Sequence, residues 1–375
     1  MGNMVDFHTA PIDVVKVGFV GLGSRGLAAL ERYTRIEGVR IVAICDTYPN
    51  RVKDAGRYLD YSKGVSEYDG SEGWKRLCSN PAVDLVYICT DWQSHTEIAC
   101  YAMKCGRHVA VEVPAATTLD ECRRLVLTAE QTRRHCIMLE NCIYDVFEAA
   151  TFGMVRDGMF GEIYLAEGGY IHNLKYLNKW RADFNKLSKG DNYPTHGFGP
   201  ICRLLGIHRT DTLHCLTSYK THMPDGDHIV SIIKTRKGKT IILQHNIHAA
   251  RPYSRLYQFT GEKGFAVKYP EYRISLLPDS DSWISDGELS ELIDRYTPDY
   301  YEQVRKIMPS DAEPRRLMDY VMDSRLVYCL RNGLPLDMDV YDAAEWSSII
   351  ELSHLSIENA SQTMMFPDFL PQDNP

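Results

Sequence analysis

The first 140 residues alternate between continuous apolar runs and amphipathic stretches. The apolar runs are those expected of strands buried on both faces of a parallel sheet, and they lie at 14–20, 39–45, 83–89, 108–113 and 136–139. Helix-forming stretches separate them, and Thr118 to Glu121 has the pattern of a capping box that predicts a helix through Thr128. This alternation with short connections predicts an α/β domain with a doubly wound parallel sheet.

After about residue 140 the pattern changes to period-two alternation with later helical stretches. The residues 228–235 and 240–249 flank a short basic turn, which predicts an antiparallel hairpin. Further predicted strands lie at 162–172, 256–260 and 264–267, and further predicted helices at 144–156, 315–330 and 340–359. We therefore expect an α+β domain with a mostly antiparallel, open-faced sheet. The expected domains are residues 12–141 and 142–375, and the tail after Ser361, with Pro367, Pro371 and Pro375, is expected to be extended.

A glycine-rich segment connects the first predicted strand to the first predicted helix. Gly21, Gly23 and Gly26, with Ser24 and Arg25 between them, form the pattern G-x-G-x-x-G. In this context the glycines allow a tight turn, close approach of a pyrophosphate and close packing of helix on strand. The free amides of the helix N-terminus favour bound phosphate. The segment therefore predicts a Rossmann dinucleotide-binding domain.

Asp46 ends the second predicted strand, twenty residues after Gly26. A carboxylate at this place accepts hydrogen bonds from the adenosine ribose and repels a 2′-phosphate, so NAD is favoured over NADP. Arg51 is close enough in sequence to weaken that preference.

Composition narrows the possible partners. The formal net charge of −8 argues against nucleic acid or an anionic membrane surface. No apolar run of about 18 residues predicts a membrane span, and Met1 to Pro11 lacks the features of a signal peptide. The eleven scattered cysteines are interpreted as reduced core thiols of a cytoplasmic protein, although an exported form is possible if a leader has been removed. His245 and His248 have no partner ligands at metal spacing, so no metal site is predicted.

The motifs resemble those of the glucose-fructose oxidoreductase and inositol dehydrogenase (Gfo/Idh/MocA) superfamily. The resemblance covers essentially the whole chain and is carried by the glycine motif, Asp46 and the segments 86–95, 102–109, 112–114 and 195–197. It implies that Thr90, His95 and Glu112 also lie at the cofactor. His95 could instead belong to a helix cap, and Glu112 could be structural or face the substrate.

Two positions depart from the usual dehydrogenase pattern of this superfamily. Val113 stands where most members carry a lysine that assists catalysis, and Asn192 stands where they carry an aspartate four residues before His196. The altered pattern is similar to one branch, glycoside hydrolase family 109, the NAD-dependent α-N-acetylgalactosaminidases. The matching segments are 112–116, 140–141, 158–163, 166–172, 193–197 and 251–255. The segment between His172 and Tyr193 is shorter than in well-known members of this branch.

This resemblance implies a mechanism and a set of catalytic residues. A sugar is oxidised at C3 by NAD, the leaving group is eliminated from C1 after loss of the C2 proton, water adds, and C3 is reduced again. The implied residues are Glu140, Tyr170, Tyr193 and His196. His196 would take the O3 proton, Tyr193 would share that work or serve the C2 proton, and Tyr170 would be a second proton-transfer group. Glu140 would orient the nicotinamide or the sugar.

Other functions remain open at this point. The alternative enzyme is an NAD-dependent sugar dehydrogenase that releases NADH, and a third possibility is a nucleotide-sensing regulatory protein. Arg251 and Arg255 could bind the sugar, although arginines at strand edges are usually solvated. By analogy of fold alone, the open sheet of the second domain is expected to pair subunits into a homo-oligomer.

Overall fold

The computed structural model describes residues 2–59, 64–174, 177–206, 210–218, 228–279 and 281–370. The strands in these ranges are β1 (Val15–Val20), β2 (Val39–Asp46), β3 (Ser66–Asp69), β4 (Leu85–Ile88), β5 (His108–Val111), β6 (Cys136–Met138), β7 (Ile163–Ile171), β8 (Thr210–Ser218), β9 (His228–Thr235), β10 (Thr240–Asn246), β11 (Tyr257–Gly261), β12 (Gly264–Val267), β13 (Arg273–Leu276) and β14 (Met364–Met365). The α-helices are α1 (Ser24–Tyr33), α2 (Pro49–Ala55), α3 (Gly73–Ser79), α4 (Trp92–Lys104), α5 (Leu119–Thr132), α6 (Val146–Arg156), α7 (Lys179–Leu187), α8 (Thr195–Leu205), α9 (Asp286–Tyr296), α10 (Tyr300–Ile307), α11 (Leu317–Asn332) and α12 (Val340–Glu358). None of the described helices is long and apolar enough to cross a membrane.

The apolar runs of the N-terminal part form one parallel sheet in the order β3-β2-β1-β4-β5-β6. Strands β4 and β5 are buried at every position, which is why they lack polar alternation. The capping box that the sequence predicts opens α5, with both hydrogen bonds between Thr118 and Glu121 present. The expected doubly wound Rossmann domain is confirmed.

The chain divides into two compact units, and the division is not the expected pair of continuous segments. The first unit consists of residues 1–139, 303–344 and 369–375, and the second of 140–302 and 345–368. Residues 303–344 thus belong with the N-terminal sheet rather than with the rest of the segment 142–375. Ion pairs account for this return, because Asp319 and Asp323 on α11 bind Arg25 and Arg32 on α1.

The second unit is built on an eight-stranded sheet in the order β13-β12-β11-β7-β10-β9-β8-β14. All neighbouring pairs are antiparallel except β7 with β10, so the expected mostly antiparallel sheet is confirmed. The predicted hairpin forms between β9 and β10, and burial alternates along both strands. Beyond Ser361, Met364 and Met365 pair with β8. The last five residues, including Pro371 and Pro375, lie outside the described residues.

Candidate functional site

The glycine motif forms the turn between β1 and the N-terminus of α1 in the first unit. Gly21 has a φ of +92°, which favours glycine, and a Cβ on Gly26 would lie 1.9 Å from the Gly21 carbonyl oxygen. Gly23 caps α1 without a side-chain hydrogen bond, and a Cβ there would meet no atom within 4 Å. The first turn of α1 therefore presents uncapped amides beside open space, an arrangement that fits the pyrophosphate of a dinucleotide.

Asp46, the last residue of β2, is fixed beside this turn. Its carboxylate accepts hydrogen bonds from the amides of Leu22 at 2.8 Å and Tyr48 at 2.9 Å, and it is 5% exposed. Each carboxylate oxygen can accept a further bond, as a ribose hydroxyl requires. Arg51 approaches the same carboxylate at 3.5 Å and lies over the ring of Tyr48, so its charge is already directed to protein groups.

Arg25 connects three parts of the first unit. Its Nε donates to Glu112 at 2.5 Å, and its two terminal nitrogens donate to the two carboxylate oxygens of Asp319 at 3.1 and 2.9 Å. The bidentate geometry is the strong form of an arginine–carboxylate pair. The sequence predicted Arg25 and Glu112 as cofactor residues. The structure gives both side chains a role inside the protein that sequence reasoning missed, together with Asp319.

His95 is a buried residue whose ring lies between two backbone carbonyl groups. One ring nitrogen lies 2.8 Å from the Pro114 carbonyl oxygen and the other 3.2 Å from the Thr90 carbonyl oxygen. Burial lowers the pKa of the ring, opposed by these two hydrogen bonds. His95 thus ties the ends of β4 and β5 together, and its expected place at the cofactor stays a prediction. The Thr90 hydroxyl accepts a hydrogen bond from Ser94 at 2.7 Å.

The residues expected to transfer protons come together in the second unit. Tyr170 lies near the end of β7, and His196 lies in the first turn of α8. A Cβ on Gly197 would be 2.3 Å from the backbone nitrogen of Gly169, so the helix can lie directly on the strand because both residues are glycines. This close approach brings the two side chains to one place.

The rings of Tyr170, Tyr193 and His196 form a compact cluster. The ring centroids of Tyr193 lie 4.9 Å from Tyr170 and 4.7 Å from His196, and those of Tyr170 and His196 are 5.7 Å apart. The guanidinium of Arg181 lies 4.5 Å from the centroid of Tyr193, and Tyr253 lies 6.0 Å from Tyr170. Burial is the largest cause of a raised pKa of Tyr170, and the charge of Arg181 opposes it.

Glu140 binds His196 from inside the unit. The Nδ1 of His196 lies 2.7 and 2.9 Å from the two carboxylate oxygens, and the carboxylate also accepts from the amide of Cys142 at 3.0 Å. Burial would raise the pKa of Glu140, which is 0% exposed, but the charge and hydrogen bond of His196 outweigh it, so the pKa is lowered. The Glu140 carboxylate thus holds the imidazole through Nδ1, and Nε2 is the ring nitrogen that does not contact the carboxylate. The structure thus gives Glu140 a role in orienting His196, and its expected role in orienting the nicotinamide or the sugar stays a prediction.

The ligand atoms of Glu140, Cys142 and His196 lie within 4.8 Å of one another, a spacing that a metal ion could also use. The pairing of Nδ1 with the carboxylate accounts for this spacing by hydrogen bonding alone.

Two buried cations next to this site were not found from the sequence. Arg255, expected to be solvated if it does not bind sugar, is 6% exposed and pairs with Asp145. Lys268 lies 3.0 Å from Asp145 and 2.6 Å from Glu148. Arg251 is exposed. Neither ion pair has a signal in the sequence, because Asp145 and Glu148 lie more than 100 positions before Arg255 and Lys268.

Two family models match this chain. The C-terminal domain of glycosyl hydrolase 109 matches residues 175–224 and 219–372. The oxidoreductase family with the NAD-binding Rossmann fold matches residues 15–140, which confirms the expected cofactor, NAD.

Whole-chain relatives agree with these matches. A glycosyl hydrolase family 109 protein of Bacteroides fragilis is 45% identical over 98% of this chain and 88% of its own length. A B. fragilis protein named α-N-acetylgalactosaminidase is 44% identical over 96% and 92%. Among solved structures, levoglucosan dehydrogenase in complex with NADH and L-sorbose aligns with a TM-score of 0.76, at 16% identity over 95% of this chain and all of that one, and thus shares the fold. The chain belongs to glycoside hydrolase family 109.

Proposed function

We propose that this protein is an NAD-dependent glycoside hydrolase that acts on α-linked N-acetylgalactosamine or a related sugar. The observation that carries the proposal is the cluster of Tyr170, Tyr193 and His196 backed by Glu140. Membership of family 109 and a relative named α-N-acetylgalactosaminidase support the substrate class. Val113 and Asn192 replace the lysine and aspartate usual in dehydrogenases, which is a further reason to prefer hydrolysis over net oxidation.

Within this proposal, each side chain handles a proton at a stated atom of the sugar. His196, with Nδ1 on Glu140, accepts the O3 proton at Nε2, as a histidine oriented by a carboxylate can. Tyr193 shares that work or takes the C2 proton, and Tyr170 takes or returns a proton at C2 or at the leaving oxygen. The charge of Arg181 opposes the rise that burial causes in the pKa of Tyr170, and so favours the phenolate form that a base at this position requires.

Gly21, Gly23 and Gly26 would hold the NAD pyrophosphate with the amides of α1, and Asp46 would bind the adenosine ribose. When bound, NAD supplies the acceptor for the hydride of C3 and later returns it. A ketone at C3 acidifies the C2 proton, so the C1 leaving group can depart by elimination instead of displacement between two opposed carboxylates. Water then adds at C1, C2 and O3 each take up a proton, and the hydride returns to C3, so no net oxidation occurs.

The proposal is tested with a panel of aryl glycosides and added NAD, measuring release of p-nitrophenol and formation of NADH in the same sample. We expect p-nitrophenol release from the α-N-acetylgalactosaminide or a related α-glycoside, with no accumulation of NADH. Stoichiometric NADH formed from the free sugar would identify the protein as a sugar dehydrogenase. Tight NAD binding without turnover of any sugar would favour a regulatory protein.

We also propose an oligomeric state and a cellular compartment for this protein. Tyr164, Leu216, Ile232 and Met365 are exposed apolar residues on β7, β8, β9 and β14, and they support assembly of subunits through this sheet. Light scattering should then give a mass above 42.8 kDa. None of the eleven cysteines, all of them among the described residues, forms a disulfide bond, which supports a reducing compartment. Protein purified without reductant should titrate as eleven thiols after unfolding.

A further inference from the structure

A second histidine–carboxylate pair lies in the same unit as the tyrosine cluster. Asp191 Oδ1 and His245 Nδ1 are 3.9 Å apart, and the two residues are 3% and 6% exposed. Neither residue has a part in the mechanism proposed above. Asp191 lies in the segment between α7 and α8, and His245 lies on β10.

Each member of this pair contacts a residue of the cluster. Asp191 Oδ1 accepts a hydrogen bond from the backbone amide of Tyr193 at 3.1 Å. His245 is the register partner of Tyr170 in the parallel pairing of β10 with β7, and the two rings stack with centroids 6.3 Å apart and an angle of 18°. The pair therefore touches Tyr193 through the backbone and Tyr170 through the ring.

Both residues of the pair are buried, and His245 has a ring nitrogen that the described part of the chain leaves unsatisfied. Among the described residues, His245 Nε2 is buried without a hydrogen-bond partner. A lone negative charge at such a place is costly, and a lone positive charge is equally so. With a single proton on the carboxyl and a neutral imidazole 3.9 Å away, neither member of the pair carries an isolated charge.

We propose that Asp191 and His245 form a buried proton-holding pair that positions Tyr193 and keeps the surroundings of Tyr170 free of net negative charge. The inference rests on the proposed function for its catalytic consequence, although the pair itself can be detected without any activity. Asp191 and His245 are positioning residues, since both are too buried to meet a sugar.

The directions of the pKa shifts agree with this assignment. Burial raises the pKa of Asp191 to about 7, opposed by the hydrogen bond from Tyr193. Burial also lowers the pKa of His245 to about 3, and the positive charge of Arg181 adds to the effect. Both shifts favour the uncharged forms, so the pair keeps its proton at acidic pH and loses it as the pH rises through neutrality.

The groups that face the pair from the neighbouring elements do not supply a compensating charge in contact with Asp191. They are Tyr170 on β7, Arg181 on α7, Cys215 on β8, His228 on β9, His248 after β10 and Ser353 on α12. Arg181 is cationic, but its guanidinium lies over the ring of Tyr193. The Ser353 hydroxyl accepts from the Asp191 amide and leaves the carboxylate unaffected.

Loss of the Asp191 proton has a consequence for Tyr170. Above neutral pH the pair becomes negative beside a phenol whose pKa burial already raises. A second negative charge disfavours the phenolate further. Turnover should therefore fall on the alkaline side as Asp191 ionises.

The proton is tested directly by infrared spectroscopy of the full-length protein without substrate. Wild-type protein should show the carbonyl band of a protonated carboxylic acid at pH 6, and that band should be weaker at pH 9. Asp191→Asn should weaken this band relative to wild-type protein at pH 6. Asp54→Asn is the control, since Asp54 is an exposed aspartate paired with Arg57, and it should leave the band unchanged. If D191N keeps the whole wild-type band at pH 6, Asp191 is ionised and the proposal fails.

The catalytic consequence is tested with pH profiles of kcat and KM. D191N retains an oxygen that can accept from the Tyr193 amide but stays neutral, so its alkaline decline in kcat should begin about one pH unit higher than in wild type. His245→Gln should also shift the decline, which provides a second variant if D191N folds poorly. Glu345→Gln is the structural control, since Glu345 is a buried acceptor for Thr210 and should leave the profile in place.

An unshifted profile in both pair variants, with folding intact, overturns the positioning role. If wild-type protein hydrolyses no glycoside, the proposed function fails, while the infrared result still decides whether the pair holds a proton.

Discussion

At the scale of single residues, the chemistry depends on how buried carboxylates orient their partners. Glu140 fixes the Nδ1 of His196, and Asp46 is fixed by two backbone amides so that its remaining lone pairs face outward from the turn. A side chain held by such bonds loses little further entropy when it meets a ligand or a proton. In the same way, the hydrogen bonds to Glu112 and Asp319 hold the side chain of Arg25 in one position in the first unit.

Replacing His196 with Ala should abolish turnover, because the group that we propose accepts the O3 proton is lost. We expect a fall of at least about 100-fold in kcat, with NAD binding unchanged by calorimetry. His248→Ala is the control, since His248 is an exposed histidine of the same unit. More than a tenth of wild-type activity in H196A contradicts the assigned role.

Gly23→Ala separates cofactor binding from folding. A Cβ at Gly23 meets no protein atom within 4 Å, and its φ of −69° suits alanine, so the melting temperature should stay within a few degrees of wild type. The methyl group stands where the pyrophosphate approaches the backbone, so the Kd for NAD should rise about tenfold or more. Unchanged NAD affinity in a folded G23A protein would place the dinucleotide elsewhere.

At the scale of helices and strands, close contact between elements sets the site and the stability. Helix α8 lies on β7 through Gly197 and Gly169, which no substitution with a side chain would allow. The starts of β5 and β6 meet through two buried histidines, where the His135 amide donates to His108 Nδ1 at 3.1 Å and the rings are 5.0 Å apart. Protonation of His108 Nδ1 would break this bond.

The histidine contact predicts acid sensitivity. Burial lowers the pKa of His108 to about 4 and that of His135 to about 3. Because both folded pKa values lie below the unfolded value, the stability is complete above about pH 6.5 and is lost as the pH falls towards 4. His135→Phe removes one titration, so its free energy of unfolding relative to wild type should improve by about 2 kcal/mol between neutrality and pH 4. Denaturant unfolding at each pH measures this, and parallel curves for the two proteins would refute it.

The elements were largely predictable, because their signals are local. Patterns among neighbouring residues predict the strands around residues 15–20 and 39–46, the capping box at Thr118 and the hairpin at 228–246. Only the family resemblance predicted that Tyr170, Tyr193 and His196 act together, because their spacing along the sequence does not determine the distances between them in space. Asp191, Arg255, Asp319 and His245 could not be predicted, because each is defined by a partner far away in the chain.

At the scale of the whole molecule, the chain returns to its first unit after building most of the second. Helix α11 pairs Asp323 with Arg32 at 2.8 Å, and the Asp323 carboxylate also accepts from the hydroxyl of Tyr87 at 3.1 Å. Burial raises the pKa of Asp323 to about 6, opposed mainly by Arg32. The Rossmann unit is therefore completed by residues almost 300 positions after its glycine motif, as the numbering of Arg25 and Asp319 shows.

This return predicts a large effect of one substitution. Asp323→Ala leaves the buried guanidinium of Arg32 without its main partner and should destabilise the protein by about 3–5 kcal/mol. Asp54→Ala, which removes an exposed pair with Arg57, should change the stability by less than about 0.5 kcal/mol. Chemical denaturation of the full-length variants measures both. Equal effects of the two substitutions would contradict the structural role assigned to α11.

The central claim is that this protein breaks a glycosidic bond by removing the proton at C2 after C3 is oxidised. The most direct measurement is hydrolysis of an aryl α-N-acetylgalactosaminide with NAD in D₂O, followed by mass spectrometry and NMR of the released sugar. The proton taken from C2 exchanges on tyrosine or histidine with solvent, so the account predicts deuterium at C2 of the product. A released sugar that keeps its original hydrogen at C2 would contradict it.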